Sequence, residues 1–312
     1  MVYKKSILGE YSKYFENHYL REYVLYIIGT LLIMKLTYNI IYPPREGFVV
    51  NNEIIIKRGY SVYDKFYAKY YDMILYNEDR TNFEIDVINE NTDLNEKSIV
   101  LDVGSGTGHH VKNLFDNNIK AIGIDISPSM VDKANDNFPD QDFRIIDATN
   151  KSGFENETFT HISCFNFTIY YMKDKDIFFS NCYKWLKPGG YVIINLVNKD
   201  NFDPIIENSN PFSISTTKYV TKCNNKTKIK LVDYDYKSNF EIYPNDTTAT
   251  FHEQFTDPKT NAVRKNETIL FMPSKKEIIN ILKNLGFILL STMDMSNCNS
   301  DSQYIYIFQK PT

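Results

Sequence analysis

From Tyr63 onward, short apolar runs of strand character alternate with stretches of helical period, and this restricts the chain to an α/β architecture. The strand-like runs are "SIVLDV", "KAIGIDI", "DFRIIDA", "FTHISCFNF" and "YVIINLV". Between them lie "GHHVKNLFDNN", "SPSMVDKANDNF" and "KDIFFSNCYKWLK", the second opened by Ser127 with Pro128 at its first helical position. A turn is expected at Pro188-Gly189-Gly190, before the last strand of this series. The rhythm implies a doubly wound, mostly parallel sheet of seven strands, the last two, "FILLSTM" and "QYIYIFQ", forming a terminal hairpin. The helix before that hairpin, "SKKEIINILKNLG", is capped by Ser274, carries Ile278, Leu282 and Leu285 on one stripe and ends at Gly286. Between about 199 and 272 the period falls to two, in "KIKLVDYDY", "NFEIYP" and "TATFHEQF", which predicts an inserted antiparallel, β-rich cap.

The N-terminal part has a different character. Residues 1–22 are a flank, and residues 23–42, "YVLYIIGTLLIMKLTYNIIY", form the longest apolar stretch. As a helix it would extend about 30 Å, enough to cross a bilayer, with tyrosines towards both ends and Pro43-Pro44 as a stop. Lys35 and Asn39 leave open a helix packed against protein instead. Residues 43–62 read as a connector with one strand-like run, "EIIIK", and the main domain as residues 63–312. With 312 residues, 43% of them hydrophobic, the chain can bury a full core. Its formal net charge of −4 gives no general attraction to a nucleic-acid backbone. The four cysteines, Cys164, Cys182, Cys223 and Cys298, have no metal-ligand spacing and read as free thiols.

Sheets of this kind bind ligands beyond the carboxyl ends of their strands, and three successive strand ends carry suggestive residues. The first runs Asp102-Val-Gly104-Ser105-Gly106-Thr-Gly108, a turn that passes close to a ligand and feeds a helix N-terminus. Its spacing is G-x-G-x-G, not the G-x-G-x-x-G of dinucleotide sites. The second ends at Asp125, where a carboxylate can accept from both hydroxyls of a ribose. The third ends at Asp147, placed to take the exocyclic amine of an adenine, with Ile126 and Ala148 as apolar walls. Acids that merely cap the following helices would explain any one of these alone.

These residues make the chain resemble the class I S-adenosylmethionine-dependent methyltransferases, with a Rossmann-like fold, over about residues 60–312. The first motif of that family is similar to Asp102–Gly108, its second-strand acid to Asp125 and its adenine-contacting acid to Asp147. "LKPGGYVIINL" is similar to its turn before the fifth strand. Upstream, the stretch from Tyr63-Asp64 through Tyr71-Asp72 resembles the helix that covers the cofactor's amino-acid end in small-molecule members. The resemblance implies S-adenosyl-L-methionine as cofactor, with the glycines letting the backbone approach its methionine portion. It also implies that the protein chiefly aligns the acceptor in line with the methyl group and excludes water.

The stretch after the fourth strand, Cys164–Tyr171, should border the methyl group. It lacks the D/N-P-P-Y/F and Pro-Cys patterns of nucleic-acid-modifying relatives. Asn166 is expected at the cofactor or the acceptor, or satisfied by neighbouring backbone. Tyr170 and Tyr171 are candidates for the acceptor pocket, and His252 in the cap is the best histidine for taking a proton. His109 and His110 open the helix after the glycines, where a positive helix end lowers imidazole basicity, and read as structural or cofactor-proximal. The acceptor is expected to be a small molecule, or a lipid if residues 23–42 anchor the chain with its catalytic domain facing the cytosol. Without that anchor the protein is expected in the cytoplasm. A tethered protein methyltransferase and a non-catalytic cofactor-binding scaffold are the alternatives.

Overall fold

A computed structural model describes residues 22–35, 37, 54–151, 153–199, 226–242, 247–296 and 302–312. The chain divides into two units at Glu46/Gly47. In the first, residues 22–35 form a helix (α1) whose large apolar side chains, from Tyr23 to Met34, are exposed. The hydroxyl of Thr30 donates back to the carbonyls of Tyr26 and Ile27, so its polar group is satisfied within the helix. No helix among the described residues is long and apolar enough to cross a membrane, so the expected span over 23–42 is not found; its residues 36 and 38–42 lie outside the described set.

The second unit holds two sheets. The larger has the order β11-β12-β6-β5-β2-β3-β4. Here β2 is Ile99–Val103, β3 Lys120–Asp125, β4 Asp142–Ile145, β5 Phe159–Cys164 and β6 Leu186–Val197. All neighbours in this run are parallel. The terminal hairpin, β11 (Ile288–Asp294) and β12 (Gln303–Gln309), inserts with β12 antiparallel to both β6 and β11. Seven strands and a mostly parallel sheet are therefore present as the alternation implied. The stretch Pro188-Gly189-Gly190 is not a free turn but a bulge inside β6. Phe159 faces Leu186 while His161 faces Tyr191, and Gly189 N–H donates to the Lys310 carbonyl at 3.0 Å.

Helices cover both faces: α3 (Glu78–Asn91), α4 (His109–Asp116), α5 (Pro128–Asn137), the short α6 (Thr168–Tyr171), α7 (Lys175–Trp185) and α8 (Lys275–Asn284). Trp185, Phe178, Phe179, Phe159 and Ile278 are buried within one cluster beneath β5 and β6, and Ile85, Ile88, Val100 and Ile307 form the core on the opposite side.

The smaller sheet has the order β1-β10-β9-β8-β7. Its strands are β1 (Ile54–Arg58), β7 (Lys226–Lys230), β8 (Asp235–Ile242), β9 (Thr248–Thr256) and β10 (Val263–Phe271). The run "EIIIK", read as part of a connector, supplies β1 and pairs in parallel with β10; the other pairs are antiparallel. Residues 200–225 of the expected cap, with Cys223, lie outside the described set, as does Cys298. Helix α2 (Lys65–Leu75) packs Phe66, Tyr67 and Tyr70 against Tyr234, Tyr236 and Phe255 of this sheet and its turn. Arg264, fully buried, locks that contact. Its Nη1 reaches both oxygens of Asp64, the N-cap of α2, at 2.9 and 3.0 Å, and its Nη2 donates to the Val62 carbonyl at 2.9 Å.

Candidate active site

A cleft opens where β2 ends, and the local sequence explains its shape. Gly104 and Gly106 have φ of +71° and +55°, in the left-handed region that favours glycine. The two glycines are needed for different reasons. A Cβ at Gly104 would lie 2.4 Å from Thr168 Cγ2, whereas one at Gly106 would meet only ordinary contacts at 3.7 Å. Gly104 thus makes room for a protein side chain, a reason beyond the close approach of a ligand. Gly106 offers its N–H to Asp125 Oδ2 at 3.1 Å, and Ser127 N–H donates to Asp125 Oδ1 at 2.8 Å. Burial pushes the Asp125 carboxyl up, partly offset by these two backbone donors.

The cleft is lined by Asp102, Gly104 and Ser105, by Arg80 and His110, and by Tyr71 and Asn166. Asp102 is buried. Its Oδ1 accepts from Ser163 Oγ at 2.8 Å, while its Oδ2 has no partner. Burial raises its pKa, and His110 and Ser163 work against that rise. Beside it, Arg80 Nε donates to Glu84 Oε1 at 2.9 Å, and Glu84 Oε2 lies 2.7 Å from His110 Nε2. Burial alone would push the Glu84 carboxyl up, but Arg80 and His110 hold it below its usual range. For His110, burial pulls down and the Glu84 hydrogen bond and Asp102 charge pull up more strongly. Its imidazole is therefore more basic than usual, contrary to the expectation from the helix end alone.

Helix α2 contributes Tyr71 and Leu75 to the cleft lining. Asp72 accepts from Thr107 Oγ1 at 2.5 Å and lies 3.3 Å from His109 Nε2, while the His109 ring stacks on Tyr76 with centroids 3.6 Å apart. Both histidines line the cleft. Asn166, with φ +49°, and Phe167, with φ +64°, turn the chain sharply after β5. Such paired left-handed residues store strain, and the turn brings Asn166 to the cleft and Thr168 against Gly104.

Three sequence candidates end elsewhere. Tyr170 is buried in the main core, where its hydroxyl accepts from Val197 N–H at 2.9 Å, so it packs the fold and does not line a pocket. His252 is half-exposed, 3.8 Å from Glu241 Oε2. Strand alternation turns it to the opposite face of β9 from buried Glu253, away from α2. Ala148 is 5% exposed and joins the core, whereas Ile126 is exposed. Asp147 is exposed and caps its own turn, accepting from Thr149 N–H at 2.8 Å and Thr149 Oγ1 at 2.7 Å. Tyr171 is half-buried beside Tyr63, with ring centroids 5.8 Å apart.

The sequence reading missed Arg80 and Glu84 because it missed α3. Its start carried a signal: Asn77 caps it, accepting from Arg80 N–H at 2.9 Å, and Glu78 and Asp79 fill its first turn.

A family described as "Methyltransferase domain" matches residues 101–194. Phosphoethanolamine N-methyltransferase 1 of Triticum aestivum is 37% identical over 110 residues, which are 33% of this chain and 21% of that protein. The phosphoethanolamine N-methyltransferase of Plasmodium falciparum is 33% identical over 126 residues, 36% of this chain and 44% of that one. The matched region thus spans less than half the length of these curated relatives. Among solved structures, the CcbJ methyltransferase of Streptomyces caelestis aligns with a TM-score of 0.63 at 14% identity, over 81% of this chain and 99% of that one. An S-adenosylmethionine-dependent methyltransferase of Clostridium acetobutylicum aligns with a TM-score of 0.59 at 18% identity, over 79% and 96%. Over residues 101–194 the chain matches a methyltransferase domain, and its strand order and the glycine turn at the end of β2 are those of the S-adenosylmethionine-dependent methyltransferase fold.

Proposed function

We propose that the chain transfers a methyl group from S-adenosylmethionine to a small-molecule acceptor. One observation carries this reading: an unpartnered buried carboxylate oxygen, Asp102 Oδ2, and the Arg80 guanidinium line the same cleft. An anion acceptor site and a cation in one small cleft complement the ammonium and carboxylate of an amino acid, and Asp125 at the next strand end suits the ribose hydroxyls. The residues therefore fit the cofactor. When bound, it supplies an electrophilic methyl group on a sulfonium. Tyr71 and Asp72 of α2 cover the cleft and exclude water, Asp102 and Arg80 orient the amino-acid end, and Asn166 stands where β5 meets the acceptor side. Asp147 and Ile126 are assigned to the adenine. The relatives named for phosphoethanolamine support an acceptor of headgroup size.

Isothermal titration of the full chain with S-adenosylhomocysteine tests the reading. Wild-type protein is expected to bind, and Asp125→Ala to bind about tenfold or more weakly, the loss of a charge-assisted hydrogen-bond pair. A folded wild-type protein that binds neither S-adenosylmethionine nor the homocysteine form would instead be a scaffold with the fold and no cofactor.

A membrane tether and a lipid acceptor rest on α1 alone, with its exposed apolar side chains. Flotation of the full chain with liposomes is the measurement. Co-flotation that survives a high-salt wash supports the tether, and protein left at the bottom of the gradient removes it.

A further inference from the structure

Outside the cleft, the chemistry-bearing group with the least obvious use is Glu253. It is 3% exposed and sits on β9 facing α2. Tyr67 and Tyr236 hydroxyls each donate to its Oε1 at 2.7 Å, and Asn266 Nδ2 lies 3.4 Å from Oε2. Tyrosine rings continue from there towards the cleft. Tyr63 lies 5.2 Å from Tyr67 and 5.8 Å from Tyr171, and Tyr67 lies 6.1 Å from Tyr71, which itself lines the cleft. We infer that Glu253 and these tyrosines form the subsite for a cationic amine acceptor, with Glu253 setting the preference for a cation; this rests on the methyl-transfer reading above.

The chemistry of the cluster is one-sided. A phenol whose proton is committed to a carboxylate can only accept from another partner, so Tyr67 and Tyr236 present acceptors. Tyrosine faces attract cations. The nearest cation, Arg264, is already matched by Asp64, and its Nε donates to Asn266. Burial pushes the phenols of Tyr63, Tyr67, Tyr171 and Tyr236 up, so the hydroxyls keep their protons; it also raises the Glu253 carboxyl, against the hydrogen bonds from Tyr236 and Tyr67, and an ammonium held beside it would draw it to its charged form. In that form it favours an ammonium and opposes an anion. Partly exposed residues flank the cluster. Tyr63 and Tyr171 are half-buried, and Tyr60, whose hydroxyl donates to the Tyr171 carbonyl at 3.4 Å, is 54% exposed. Tyr171 also lies on α6, directly after the Asn166 turn, so a group held here is next to the cleft.

Calorimetry on the full chain, with and without S-adenosylhomocysteine, tests this with two probes of one shape. N,N-dimethylethanolamine is a cation at neutral pH, and 3-methylbutan-1-ol is its neutral carbon isostere. Wild-type protein is expected to bind the cation about tenfold or more tightly. Glu253→Gln, which still offers an oxygen to the tyrosines, is expected to lose that preference while its affinity for S-adenosylhomocysteine stays within about twofold. Equal binding of the two probes by wild type, no binding of either, or a preference that survives Glu253→Gln would each overturn the assignment. The first two comparisons need no variant, so a Glu253→Gln protein that fails to fold still leaves the matter decided. Failure of S-adenosylhomocysteine to bind would fall on the cofactor reading, separately from the cation preference.

Discussion

Gly104→Ala is expected to lower stability by about 3 kcal/mol: left-handed backbone strain of about 1–2 kcal/mol and overpacking of about 1–3 kcal/mol both apply. The first term follows from φ +71° and the second from a Cβ placed 2.4 Å from Thr168 Cγ2 and 2.5 Å from Thr168 Oγ1. In a chain of this size the fall in Tm is on the order of 10 °C. Gly106→Ala carries only the strain, because its Cβ would meet nothing nearer than 3.7 Å, and should cost about half as much. The double variant Gly104→Ala/Thr168→Ala removes both clashing atoms and should recover the packing term but not the strain. Thermal melts of the three variants are the check. Equal losses at Gly104 and Gly106, or no recovery in the double variant, would show that Thr168 does not set the requirement.

Glu84→Ala should be at least as damaging, at about 3–5 kcal/mol, because it leaves the Arg80 and His110 side chains without their shared acid. Both are mostly buried, with side-chain exposures of 14% and 7%. The pH dependence has a definite sign on each limb. Glu84 has a lowered folded pKa, so its stabilising contribution is present above the ordinary carboxylate range and is lost as pH falls through the lowered value. His110 has a raised folded pKa, so its contribution is full below the ordinary 6.5 and is lost as pH rises through the raised value. The pair therefore stabilises most between those limits. Melting temperature measured across pH should show both limbs in wild type and neither contribution in Glu84→Ala. A variant that melts like wild type near pH 6 would refute the ion-pair account.

Much of the frame was legible before any tertiary contact was considered. Hydrophobic period distinguishes "KAIGID" from "PSMVDKANDN", and the caps at Ser127 and Ser274 appear where the sequence placed them, the second joined by Glu277 in a capping box that the structure adds. The glycine turn was legible as a turn, but Thr168 is 64 positions from Gly104 in the chain, so the second reason for that glycine was not. Helix α3 escaped because its helical period is weak, with Thr81, Glu84 and three aliphatic side chains sharing the buried face. Strand β1 was visible as an apolar run, yet its partner, β10, begins about 200 residues later, and no local signal names a strand's neighbour.

The sequence by itself determined the order of strands and helices, the sharp turn after β2 and the acid at the end of β3, because period, capping and backbone sterics act within a few residues. Only the tertiary structure decided which side chains meet. His252 and Glu253 are adjacent in a chain with 39 acids, and strand alternation sends one to the outer face and the other against α2. On helix α6, Tyr170 is buried in the core while Tyr171 stays half-buried beside Tyr63. Burial, pairing and the charge felt by each group come from residues far apart in the chain, and those contacts exist only once the sheets and α2 have packed.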